Sequence, residues 1–152
     1  MKGYSLIEIT LVISIFIILV GLATINLYKF QHTDQLSSAV NSFFADYKSQ
    51  QLKAMIGETD GTGSVSSFGV HFETSSYTLF QNTYGTNNFS VNLPAGTQLS
   101  TTLSNSQVVF MSGSGEVSGF INGQNTIIFK DTVDNSTKTV TINRYGVVTA
   151  LN

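Results

Sequence analysis

An uncharged apolar run from Ile9 to Tyr28 follows eight residues whose only charges are Lys2 and Glu8. As a helix rising ~1.5 Å per residue it would extend about 30 Å, the thickness of a bilayer's hydrocarbon core. Its polar atoms belong to Thr10, Ser14, Thr24, Asn26 and Tyr28. Thr and Ser can return their hydroxyls to the preceding turn, so they are tolerated in apolar surroundings. Lys2 and Lys29 bracket the run and give little orientation signal. A secretory signal ends in small residues behind its apolar core, whereas the only candidate junction here, Gly3-Tyr4, precedes that core. Hydropathy alone leaves a plain single-pass anchor open. Glu8 argues against it, because a carboxylate at the edge of an apolar stretch is unfavourable unless paired or neutralised.

The order Gly3-Tyr-Ser-Leu-Ile-Glu8 ahead of an apolar helix resembles the class III leader of type IV pilins and type II secretion pseudopilins. The resemblance implies cleavage by a prepilin peptidase between Gly3 and Tyr4, N-methylation of Tyr4, and a filament-assembly role for Glu8. A freed Tyr4 amine is positive at neutral pH and would pair with the Glu8 carboxylate of a neighbouring subunit. The resemblance also implies a single-pass inner-membrane protein with a cytoplasmic N-terminus and an extracytoplasmic head, later incorporated in a filament. Two departures stand out. Tyr replaces the more frequent Phe after the cut, and no Pro interrupts the apolar run, where Gly21 is the one soft point.

The chain has 152 residues, room for one domain plus an anchor. It has no Cys, so an exported head would be held by its core alone. Charged residues are 11%, against ~25% in ordinary soluble domains, and the formal net charge is −2. A surface so poor in Lys and Arg does not suit strong nucleic-acid binding.

Beyond Lys29 the periodicity becomes two-faced. Leu36, Val40, Phe43, Tyr47 and Ala54 form one helical stripe, with Phe44, Leu52 and Met55 beside it. Gly57 is the natural stop. From Ser64 the pattern has period two: Phe68, Val70 and Phe72; Tyr77 and Leu79; Phe89, Val91 and Leu93; Leu99, Thr101 and Leu103; Val108 and Phe110. Ile127 to Val133 and Lys138 to Asn143 flank Asp134-Asn135-Ser136, a hairpin signal, and Val147 to Leu151 follow Tyr145-Gly146. The expected fold class is α+β. A long N-terminal helix, with an apolar membrane half and an amphipathic half, packs on an antiparallel β-sheet head of six to eight strands, a pilin-like fold. The expected divisions are a leader at 1–3, a transmembrane and assembly helix at 4–28, an amphipathic half at 29–57 and a β-rich head at 58–152.

In the head, Val91-Asn-Leu-Pro-Ala-Gly96, Val108-Val-Phe-Met-Ser-Gly-Ser-Gly115 and Ile142-Asn-Arg-Tyr-Gly146 resemble the C-terminal region of H-type minor pseudopilins. That likeness implies a structural subunit of a type II secretion pseudopilus or type IV pilus-like filament. Its partners would be other pilins or pseudopilins, the prepilin peptidase, assembly-platform membrane proteins and the inner membrane. The alternative is a DNA-uptake (competence) or adhesive minor pilin whose head binds a ligand. For that alternative the candidate contacts are Arg144, the only Arg in the chain, with Lys130 and Lys138.

Catalytic chemistry has little support, and no cofactor is expected. There is no Cys nucleophile and no Gly-x-Ser-x-Gly elbow. His71 and Glu73 share a strand face without a third metal ligand at suitable spacing. Asp131, Asp134 and Asn135 read as turn residues rather than a Ca²⁺ loop. The pairs Gly61-x-Gly63 and Gly113-x-Gly115 do not continue into a phosphate-binding pattern.

Overall fold

A computed structural model describes residues 5–59 and 63–152, the side chains of residues 23–33 excepted. The processing positions Gly3 and Tyr4, with the rest of the expected leader, lie outside the described residues.

Helix α1 is Leu6–Ile56. It ends where Gly57 takes a left-handed conformation (φ 68°, ψ 39°), which a residue without Cβ adopts at no steric cost. Leu36, Val40, Phe43, Tyr47 and Ala54 are at most 1% exposed. Their spacing of three, four and seven places them on one face, and that face meets the sheets. Phe44 only borders this core, while Leu52 and Met55 are exposed.

Eight strands follow: β1 Phe68–Phe72, β2 Ser76–Gln81, β3 Phe89–Asn92, β4 Thr97–Thr101, β5 Gln107–Phe110, β6 Thr126–Asp131, β7 Thr137–Ile142 and β8 Val148–Leu151. A 3-10 turn at Ser104–Ser106 precedes β5. The strands form two four-stranded antiparallel sheets, ordered β3-β2-β1-β5 and β4-β6-β7-β8. Alternation decides which side chains go inward: Phe68, Val70 and Phe72 from β1, Ile127 and Phe129 from β6, Val140 and Ile142 from β7 are all buried. Phe43 of α1 joins the layers. Its ring centroid lies 5.9 Å from that of Phe72, 5.5 Å from Tyr77 and 5.3 Å from Phe129, so it touches both sheets. Backbone bonds from Leu93 N–H to Ser75 O (2.9 Å) and Leu99 N–H to Thr74 O (2.8 Å) tie the β3–β4 connection and β4 itself to the β1–β2 turn.

The expected fold class is corrected in two respects. No helix among the described residues is long and apolar enough to cross a membrane. The expected membrane half of the helix is therefore not upheld, and neither is the expectation of a single-pass inner-membrane protein. The head is also two sheets rather than one, because β4 leaves the first sheet and pairs with β6 from Thr97↔Asp131 to Thr101↔Ile127.

Both faces of the first sheet are filled. Gly69 of β1 lies beneath the Phe80 ring, and a Cβ there would fall 2.3 Å from Phe80 Cζ and 2.6 Å from the Val108 carbonyl oxygen. Phe80 is 3% exposed although it faces away from α1, because the β2–β3 loop folds over it. The Tyr84 ring from that loop meets Phe80 edge-on at 6.0 Å.

Candidate functional site

The amino-terminal arm of α1 is the first candidate. Ser5 is extended (φ −73°, ψ 143°) and begins the helix. Its backbone N–H donates to Glu8 Oε2 at 3.0 Å, while its carbonyl accepts from the N–H groups of Glu8 (3.0 Å) and Ile9 (3.3 Å). A carboxylate in a first turn also faces the positive end of the helix dipole. The motif Ser-x-x-Glu is a capping signal written in the sequence, and it gives Glu8 a local role within its own chain. The arm's polar atoms turn inward: Thr10 Oγ1 donates to Ile7 O (3.0 Å) and Ser14 Oγ to Thr10 O (2.7 Å). What remains on the surface is apolar. Thirteen large side chains between Leu6 and Leu22 are exposed, from Val20 at 48% to Leu6 at 80%, and Glu8 is the one charge among them.

The three cations do not form a cluster. Lys130 sits opposite Thr137 and Lys138 opposite Phe129. Paired residues share a face and neighbours alternate, so Lys138 lies on the inward face and Lys130 on the outward one. Arg144 follows the far end of β7, some six residues or about 20 Å along the strand from Lys138. It is paired with Glu116 at 3.4 Å and lies 5.4 Å from the Tyr145 ring centroid. A phosphate contact would have to displace that carboxylate.

His71 and Glu73 belong to an aromatic-carboxylate cluster. The His71 ring stacks on Tyr84 at 3.9 Å and 13°. Tyr84 O–H donates to Glu73 Oε1 (2.8 Å) and Ser76 Oγ–H to Glu73 Oε2 (3.0 Å). The Tyr84 bond, then the Ser76 bond, hold the Glu73 carboxyl below the usual range. Tyr84 is the residue the sequence did not announce, since it lies eleven positions beyond Glu73 in a loop. Among the described residues no group of three His, Cys, Asp or Glu side chains is placed to hold a metal ion. At the β6–β7 hairpin, Asp131 Oδ1 accepts from Val133 N–H (2.7 Å) and Asp134 Oδ1 from Ser136 N–H (2.8 Å), which is turn chemistry.

A polar bond fixes α1 to the first sheet. Tyr77 O–H donates to Asp46 Oδ2 at 2.6 Å. Burial, then this bond, push the Tyr77 phenol well above its ordinary range, and burial alone does the same to Tyr47. At the helix end, Gln51 Nε2 donates to Gly115 O (3.1 Å) and Tyr145 O (2.7 Å), holding two turns against α1.

No family model, curated protein or solved structure matches the chain.

Proposed function

We propose that this chain is a structural subunit of a pilin- or pseudopilin-like filament, assembled by packing its amino-terminal helix against those of neighbouring subunits. The observation that carries the reading is the arm at residues 6–22, apolar all round, with its hydroxyls satisfied internally and Glu8 as its one charge. Full burial of a side chain such as Leu, Ile or Phe stabilises by ~1.5–3 kcal/mol. Covering half of the thirteen exposed side chains would contribute on the order of 10–20 kcal/mol. That is as large as the entropy lost on association, ~4–15 kcal/mol, or larger.

Packing such arms together removes Glu8 from water, which is unfavourable unless a cation neutralises it. The amine freed by prepilin-peptidase cleavage at Gly3-Tyr4 would supply that cation from a neighbour. In the separate chain the Ser5 N–H holds the carboxylate at the helix start, ready for this exchange. The head has no part in the packing chemistry beyond its own stability.

The test is Glu8→Ala against wild type, measured as the fraction of the protein recovered in sheared or cross-linked filaments relative to total cell protein. Incorporation should fall at least roughly tenfold while processing at Gly3-Tyr4 continues, because the lost charge pair is worth a few kcal/mol when desolvated. Equal incorporation of the two proteins would remove the assembly role of Glu8.

A further inference from the structure

A second site lies in the head, at the outer edge of the first sheet. The 3-10 turn Ser104–Ser106 and the start of β5 form one wall of a cleft of about 250 Å³. Segment 117–124 forms the other, held back against β5 by a bond from Ser118 N–H to Val109 O (2.8 Å) and by bridge pairing of Val117 with Phe110. Buried Leu103 and Val117 make a fixed apolar floor. Above it Ser104, Asn105, Gln107, Ser118 and Gln124 line the cleft beside the Phe120 ring.

Three features give this cleft a chemical character. None of those five hydroxyl or amide side chains makes a hydrogen bond within the described residues. Together they offer donors and acceptors in close alternation, since an amide carries both and a hydroxyl serves as either. No charged side chain lines the cleft among the described residues. The wall bearing Asn105 also carries one strained residue: Asn105 (φ 54°) and Ser106 (φ 50°) are successive left-handed residues, a region that Asn enters readily and Ser rarely. Ser106 is the one residue besides Gly and Asn with such a φ among the described residues. Strain of this kind persists where surrounding structure enforces it and gathers at ligand sites.

We propose that this cleft binds a neutral oligosaccharide. A sugar ring presents hydroxyls around its edge, each both donor and acceptor, and a C–H face that suits the negative face of an aromatic ring. Unpaired amides and hydroxyls around Phe120, without charge, match both properties. An anionic ligand would lack a cation here, and a purely apolar one would leave five polar groups unpaired. A neighbouring cleft of about 360 Å³ shares Val117 to Phe120 and adds Met111 with the paired Glu116 and Arg144, so a second sugar unit extending across the Phe120 ring would meet that ion pair. The assignment is independent of how the amino-terminal arm assembles.

The experiment uses the full chain in lauryldimethylamine oxide micelles, because glycoside detergents would occupy the site. The neutral trisaccharides cellotriose, maltotriose, tri-N-acetylchitotriose, xylotriose and mannotriose are titrated while the side-chain NH₂ resonances of Asn105, Gln107 and Gln124 are followed by NMR. N-acetyl-trialanine amide is titrated as the peptide arm. At least one trisaccharide should bind with a dissociation constant on the order of 1 mM or tighter and shift those amides. Gln107→Ala and Asn105→Ala, both at solvent-facing side chains, should each weaken that binding roughly tenfold, the effect of one well-made hydrogen bond. Phe120→Leu should weaken it further while lowering the thermal midpoint by only a few degrees, since Phe120 also packs against the core. No binding by any of the five trisaccharides at ~10 mM overturns the proposal. So does trisaccharide binding indifferent to Gln107→Ala and Asn105→Ala, or peptide binding in the cleft as tight as the best sugar.

Discussion

Replacing Phe43 by Ala removes the side chain on which the layers converge. Phe43 is fully buried, and its ring lies 5.3–5.9 Å from those of Phe44, Tyr47, Phe72, Tyr77 and Phe129. A buried Phe→Ala change costs ~3–5 kcal/mol, combining lost transfer energy with the cavity left behind. The upper half of that range applies here. The cavity is walled by rings from α1 and from both sheets, which cannot collapse inward together, and edge or tilted ring pairs add ~0.5–1.5 kcal/mol each before non-additivity. At roughly 2–4 °C per kcal/mol for a chain of this size, a loss of ~4 kcal/mol lowers the melting temperature by about 8–16 °C. The assay is thermal unfolding of the full chain in detergent, followed by near-UV circular dichroism, which reports the aromatic packing of the head. Phe43→Leu keeps most of the volume and should lose only about 1–2 kcal/mol. Phe89→Ala is the control, since Phe89 is 67% exposed and should change stability by no more than ~0.5 kcal/mol. A Phe43→Ala shift as small as that of Phe89→Ala would refute the claim that this ring joins α1 to both sheets.

Two further outcomes follow from the same geometry. Tyr47 and Tyr77 have phenols raised above their unfolded value near 10, so the stability they contribute is fully present below about pH 10 and is lost as pH rises beyond it, by up to ~1.4 kcal/mol per pH unit for each phenol. Chemical denaturation between pH 8 and 12 should show that decline, and Tyr77→Phe should make it shallower; a flat profile would contradict the burial of both hydroxyls. Gly69→Ala should lower stability by about 1–3 kcal/mol, because its Cβ would meet the Phe80 ring and the fixed Val108 carbonyl, and Phe80→Leu in the same chain should recover only the ring's share.

The family likeness and the local sequence compete at Glu8. The likeness points outward, to a partner subunit, while Ser-x-x-Glu points to a cap within the same chain, and the structure has the cap. The two are compatible in sequence of events, since a carboxylate held by one exposed N–H is free to exchange for a cation as arms pack together. Arg144 shows the opposite case. Three cations close to two neighbouring hairpin turns read as a group in one dimension, yet strand alternation and strand length separate them, and Glu116 from a distant loop claims the Arg.

The sequence by itself determined the features that depend on near neighbours. Helical spacing from Leu36 to Ala54 named the buried face of α1, Gly57 marked its end, and period-two alternation marked segments that overlap the strands while leaving their number at six to eight, because side-chain direction repeats with the backbone geometry of each element. Only the tertiary structure decided how those strands divide. The pairing of β4 with β6 and of β1 with β5 joins segments separated by a whole intervening strand or more, and alternation states which face is inward without stating which edge is shared. Apolar content alone likewise overstated the membrane half of the helix. The long-range groupings were decided in the same way: Tyr84 over His71, Gln51 between Gly115 and Tyr145, and the neutral cleft around Phe120 each join residues that only strand pairing and the packing of loops and helix bring within reach.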